Sequence, residues 1–175
     1  MKRVIAISLL LAAFVCSLFS EEMYVTDFVV WDFGYSFEFE LELTEYGYLG
    51  DYVYSFFVQK DVGHWLFPEH STLGFTPRDQ VTLEVASSDM PPIVLKANDT
   101  GKQTAYNYLS DGKDVIAFLK ALLKDGFIVF DVLYQGYTPI RLYWYIPRSN
   151  DEARIEALEQ LEIYEKYLYQ WSPLK

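Results

Sequence analysis

The chain has 175 residues, enough for one ordinary domain and short for two. It is 51% apolar and 18% aromatic, which excludes disorder as the main state, and its net charge of −11 argues against a nucleic-acid binder, which needs a basic patch. The single cysteine, Cys16, excludes an internal disulfide framework and any multi-cysteine metal site.

Residues 1–20 have the order of a secretory signal peptide. Lys2 and Arg3 form a positive start, Val4 to Phe19 is almost wholly apolar, and Glu21-Glu22 ends the run abruptly. The apolar run is shorter than the roughly 20 residues a membrane span needs, and no second run matches it, so no helical membrane span is expected in the mature chain. A lipid anchor on Cys16 is the other reading of this segment. Val15, just before Cys16, is larger than a lipoprotein signal favours, so Cys16 is expected to leave with the discarded segment. Loss of residues 1–20 removes Lys2 and Arg3 and leaves 12 basic against 25 acidic residues, a charge of −13. Residues 21–175 then read as a single β-rich domain.

Met23 to Trp31 is rich in apolar and aromatic residues and poor in helix formers, which predicts a strand. Phe37, Phe39, Leu41 and Leu43 next alternate with Glu38, Glu40 and Glu42, placing apolar side chains on one face and carboxylates on the other. Tyr52 to Gln59 returns as the second arm of a hairpin, with a loop longer than the tightest turn class around Tyr46–Asp51. Lys60 to Pro77 holds both histidines, two prolines and two glycines, and reads as a long surface connection. Short strands are predicted at Gln80–Ala86, Ile93–Ala97 and Gln103–Tyr108.

At Lys113–Lys124 the period changes. Val115, Ile116, Leu119, Leu122 and Leu123 form a helical stripe, with Ser110 or Asp111 as start and Gly126 as stop. Phe127–Tyr134 and Ile140–Ile146 predict a hairpin. If Tyr134 pairs with Ile140, Asp131 and Arg141 become diagonal neighbours on one face. Ser149 and Glu152 fit a capping box for a final helix over Asn150–Trp171, whose inner stripe is Ala157, Leu161, Tyr164, Leu168 and Trp171. The expected fold is therefore α+β: a mostly antiparallel sheet or sandwich of seven or eight strands, with a short helix near 112–124 and a C-terminal helix near 150–171. An outer-membrane barrel is the competing β architecture, and the charged C-terminal helix argues against it.

Three groups of residues are site candidates. Tyr46, Tyr48, Tyr137 and Tyr143, with Asp131 and Arg141, could form a partner-binding surface, because aromatic rings offer contact area with a polar handle. His64, Glu69 and His70 lie within seven residues and have the chemistry of metal ligands, although their spacing matches no common motif. Glu38, Glu40 and Glu42 spread along a strand instead of converging, which fits a solvated face better than a cation site. The motifs GxSxG, GxxxxGK[ST], HExxH and GxGxxG are not found, and no cofactor is implied. The sequence thus predicts an exported protein (periplasmic, secreted or envelope-associated) that binds a protein or other macromolecule without catalysis. The alternative is a small extracytoplasmic hydrolase using carboxylate or histidine groups. N-terminal sequencing of the native protein is expected to start between residues 16 and 23, and recovery of an intact Met1 would refute export with cleavage.

Overall fold

The computed structural model describes residues 21–32, 37–47, 50–68, 80–86, 88–98, 105–134 and 136–170. Residues 1–20, including Cys16, lie outside them, as do Tyr48, Glu69, His70 and Trp171. Nine strands occur in chain order: β1 (Glu21–Asp32), β2 (Phe37–Gly47), β3 (Gly50–Gln59), β4 (Val62–Pro68), β5 (Gln80–Val85), β6 (Ile93–Ala97), β7 (Ala105–Asp111), β8 (Phe127–Leu133) and β9 (Ile140–Tyr145). Helix α1 (Gly112–Asp125) joins β7 to β8, and α2 (Asp151–Gln170) follows a short 3-10 turn at Arg148–Asn150.

The sheet closes on itself in the order β1-β2-β3-β4-β7-β6-β5-β8-β9, so the architecture is a nine-stranded barrel and not the expected open sheet or sandwich. The difference traces to β4. Its stretch Val62–Pro68, expected to be loop, alternates Gly63, Trp65 and Phe67 inward with His64 and Leu66 outward. β4 pairs with both β3 and β7, and this bridge lets the sheet curl shut. A Gly, a His and a Pro within seven residues disguise a strand whose period is nevertheless intact. All neighbours are antiparallel except β9 and β1, which close the barrel in parallel, with Glu21↔Trp144 and Glu22↔Tyr145 paired among the described residues. The β2–β3 ladder runs out to Gly47↔Gly50, which leaves only residues 48–49 between the strands, a shorter connection than expected.

The barrel is filled with aromatic side chains. Phe39, Tyr54, Phe56, Trp65, Phe67, Tyr108, Phe130 and Trp144 are all buried and point inward. Phe118 of α1 reaches the middle of them. Its ring centroid lies 6.4 Å from Phe56, 5.2 Å from Trp65, 5.3 Å from Phe130 and 6.0 Å from Trp144, which belong to β3, β4, β8 and β9. Edge-to-face geometry dominates these contacts, as the ring quadrupole favours. The α1 helix therefore acts as a plug across one mouth of the barrel, carried there because it must travel from β7 to β8, past β6 and β5. At the far end Phe67, Val81, Leu83, Tyr108, Val132 and Tyr134 come together with no space for a water molecule. An apolar interior and an outer face bearing Glu40, Glu42, Glu84 and Lys96 reverse the polarity of a membrane-spanning barrel.

Both ends of α1 are fixed as the sequence predicts. Asp111 accepts a hydrogen bond from the Lys113 amide at 3.0 Å, and Gly126 adopts φ 71° while its N–H donates to the Leu122 carbonyl. The helix starts so close to β4 that Gly63 has no room for a side chain: a Cβ there would stand 2.5 Å from Val115 Cγ2. The α2 helix packs beside α1 and over the ends of β1 and β2. Ala157, Leu161 and Tyr164 are fully buried, and the Tyr164 hydroxyl donates to the Val58 carbonyl at 3.2 Å. Arg154 ties the two helices by donating to the Leu123 and Lys124 carbonyls at the end of α1, and Lys120 pairs with Glu165 at 2.7 Å. The predicted capping box does not form: the Ser149 hydroxyl donates to Asn150 Oδ1, because the 3-10 turn delays the start of α2 to Asp151. Leu161→Ala is expected to cost about 2–5 kcal/mol in denaturant unfolding, whereas exposed Glu159→Ala stays within about 0.5 kcal/mol. Equal small effects would show that α2 is not docked.

Candidate functional site

With the interior occupied, the chemistry-bearing side chains gather on the outer face of β8, β9, β1 and β2. Alternation sends Leu142 and Trp144 of β9 inward and Arg141, Tyr143 and Tyr145 outward. The same parity on β1 buries Met23 and Val25 and turns Glu22 and Tyr24 to the outside. On β2 it leaves Tyr46 on the surface.

Asp131 and Arg141 meet as foreseen, but through a different register. Val132 pairs with Ile140, so Asp131 stands directly opposite Arg141 instead of diagonal to it. The slip is two residues, which preserves the face and improves the contact. Arg141 Nε and Nη2 donate to the two carboxylate oxygens at 2.7 Å each, a bidentate pair. These bonds hold the Asp131 carboxyl below the ordinary carboxylate range, with burial opposing weakly. Tyr143 lies beside this pair on the same strand, about half exposed.

The second centre is Glu22. Its carboxylate accepts a hydrogen bond from the Tyr145 hydroxyl across the parallel seam, and another from the Tyr24 hydroxyl at 2.8 Å. Donation from Tyr145 first, then Tyr24, pulls Glu22 below its ordinary value. The bond to the same carboxylate pushes Tyr24 up to about 12. Tyr46 completes the group, its ring edge-on to Tyr24 with centroids 4.5 Å apart at 87°. The closing of β9 on β1 thus brings two of the predicted tyrosines, Tyr46 and Tyr143, onto one strip, with Glu22, Tyr24 and Tyr145 between them. Period-2 parity places those three on the outer face and sets Glu22 beside Tyr24; only the parallel closure, which leaves no local trace in the sequence, brings Tyr145 to them.

The other candidates do not join this strip. Tyr137 is exposed in the β8–β9 connection, where its amide donates to the Tyr134 carbonyl at 3.2 Å. Tyr48 lies outside the described residues, as do Glu69 and His70, two of the three metal-ligand candidates. His64 is half-buried on the outer face of β4, its ring parallel to Phe57 with centroids 4.0 Å apart. Among the described residues no three His, Cys, Asp or Glu side chains are grouped to hold a metal ion. A surface groove of about 440 Å³ lies where α1 ends and α2 begins, with Phe127, Tyr145, Asp125 and Arg148 in its walls. Glu45 is the buried carboxylate of the interior, and it accepts a hydrogen bond from the Tyr54 hydroxyl. Comparison of the chain with family models, curated proteins and solved structures finds no match.

A double-mutant cycle on Asp131→Asn and Arg141→Gln is expected to be non-additive at neutral pH. Because the folded-state pKa of Asp131 is depressed, its contribution is present above the ordinary value of 3.8 and disappears as pH falls through the lower folded value. The coupling should therefore vanish in acid unfolding curves. Additivity at neutral pH would mean that the pair contributes nothing.

Proposed function

We propose that this chain is an exported, non-catalytic binding protein that meets its partner on the tyrosine-rich outer face of β9, β1 and β2. The observation that carries this reading is the filled interior. With Phe118 at its centre and aromatic rings from four strands around it, the barrel holds its own side chains where a ligand-carrying barrel holds cargo. Recognition then falls to the outside, where Tyr46 and Tyr143 are 57% and 53% exposed. Side chains of this type, half fixed by their neighbours, supply most of the energy at protein contact surfaces. Export is supported by Lys2, Arg3 and the apolar run that follows them.

The hydrolase alternative has less support. It calls for titratable groups that converge. His64 sits on β4 and Asp131 on β8, with β7, β6 and β5 between those strands, and Asp131 is already engaged by Arg141.

Capture from fractionated envelope tests the proposal. Wild-type protein is expected to retain a partner that the Tyr46→Ser, Tyr143→Ser double variant loses, with the same melting temperature for both. Equal capture by the two proteins would refute the outer face as the binding surface.

A further inference from the structure

This inference rests on the outer-face reading and names the chemistry of the partner. Beyond Tyr46, the outward row of β2 continues through Thr44 to Glu42 and Glu40. Asp27 of β1 stands directly across from Glu42, just past the irregularity between Val25 and Asp27. With Phe28, Val29 and Glu40 these two residues line a shallow cleft of about 80 Å³. Like charges placed opposite one another across a ladder are destabilising. Among the described residues no Lys or Arg pairs with Asp27 or Glu42. Among the described residues the cation on the tyrosine strip is Arg141, and it is already paired with Asp131.

The face therefore has two parts. One end carries ring faces: Tyr46 and Tyr143 exposed, Tyr24 and Tyr145 held in place by Glu22. The other carries Asp27 and Glu42, which have no basic partner among the described residues. Tyr46 and Glu42 stand four positions apart on β2, about 13 Å at ~3.3 Å per residue. We infer that this face docks an extended basic segment of another polypeptide, with Lys or Arg side chains over the tyrosine rings and against Asp27 and Glu42. Aromatic faces attract cations through their quadrupole. The surplus of 25 acidic over 14 basic residues draws such a segment in and turns polyanions away. A neutral glycan would engage the rings and leave the carboxylates unused.

The probe is a peptide of about ten residues alternating Lys and Ser, long enough at ~3.3 Å per residue to cover both parts of the face. Titrated into the full chain by calorimetry, it is expected to bind, and a Glu-Ser peptide of equal length is not. Tyr46→Ser with Tyr143→Ser should weaken binding about tenfold, the sum of two modest cation–π contacts. Asp27→Asn with Glu42→Gln should weaken it comparably and flatten its dependence on salt. Glu159→Gln with Glu162→Gln, the same charge change on the exposed side of α2, should leave binding unchanged. Melting curves check that each variant folds, and Tyr46→Leu keeps the bulk without the ring should the serine variant fail. Equal weakening by both carboxylate pairs would show attraction to net charge alone and overturn the inference, as would tyrosine variants that bind like wild type. If the lysine peptide does not bind although the tyrosine variant still loses the envelope partner, the basic segment is wrong and the outer-face reading stands. If neither is seen, both fall.

Discussion

The ring of Phe118 is the one contact on which the rest of the molecule depends. It meets aromatic side chains of β3, β4, β8 and β9 together, so it joins strands that are distant along the chain and in the sheet. A nine-stranded barrel encloses more volume than its own inward-facing side chains fill well, and voids are costly. Here the deficit is met by a helix and by large rings, which accounts for an 18% aromatic content. Room for the helix comes from Gly63, the inward position of β4 that carries no side chain. The same packing fills the interior with side chains among the described residues.

The parallel seam is short and polar on its outer side. Among the described residues β1 and β9 share two backbone pairs, as β6 and β7 do, far fewer than β1 shares with β2. Side chains supplement this seam. Tyr145 reaches Glu22 across it on the outer side, and on the inner side Glu45 of the neighbouring β2 receives the Tyr54 hydroxyl, close to Trp144. Two carboxylates, one outside and one inside, thus accept hydrogen bonds from phenolic hydroxyls near the place where the barrel shuts. Hydrogen bonds to a charged acceptor are stronger than neutral ones, and such bonds suit a junction short of backbone pairing. The tyrosines of the proposed docking face are, in this sense, also parts of the closure.

Much of the local structure could be read from residue patterns. The Phe39-Leu41-Leu43 alternation, the Asp111 and Gly126 ends of α1 and the Ala157-Leu161-Tyr164 stripe each follow from short-range rules, and each stands where those rules place it. The misreadings share one cause, which is that pairing is decided between segments. His64 and Pro68 made β4 look like a loop, although only Lys60 and Asp61 separate it from β3; its other partner, β7, is remote in sequence. The register of β8 on β9 depends on how residues 134–139 turn, and Asp131 moved from diagonal to opposite by two positions. For the site, parity was readable, so the outward aim of Tyr143 and Tyr145 was within reach. Their meeting with Tyr24 and Tyr46 was not, since it requires the parallel closure.

That closure also governs when the protein can become itself. Glu22 and Tyr145 are 123 residues apart, and no earlier pairing substitutes for theirs. Bringing such distant segments together is slow, because the entropy of the intervening chain is surrendered before the contact returns anything. In a chain that emerges end-first, β1 to β4 all precede the strand that closes the barrel. Its core rings have no cover until α1 arrives, and its first strand has no second neighbour until β9 follows. The molecule is thus kept unfinished for most of its own synthesis, a timing written into strand order alone.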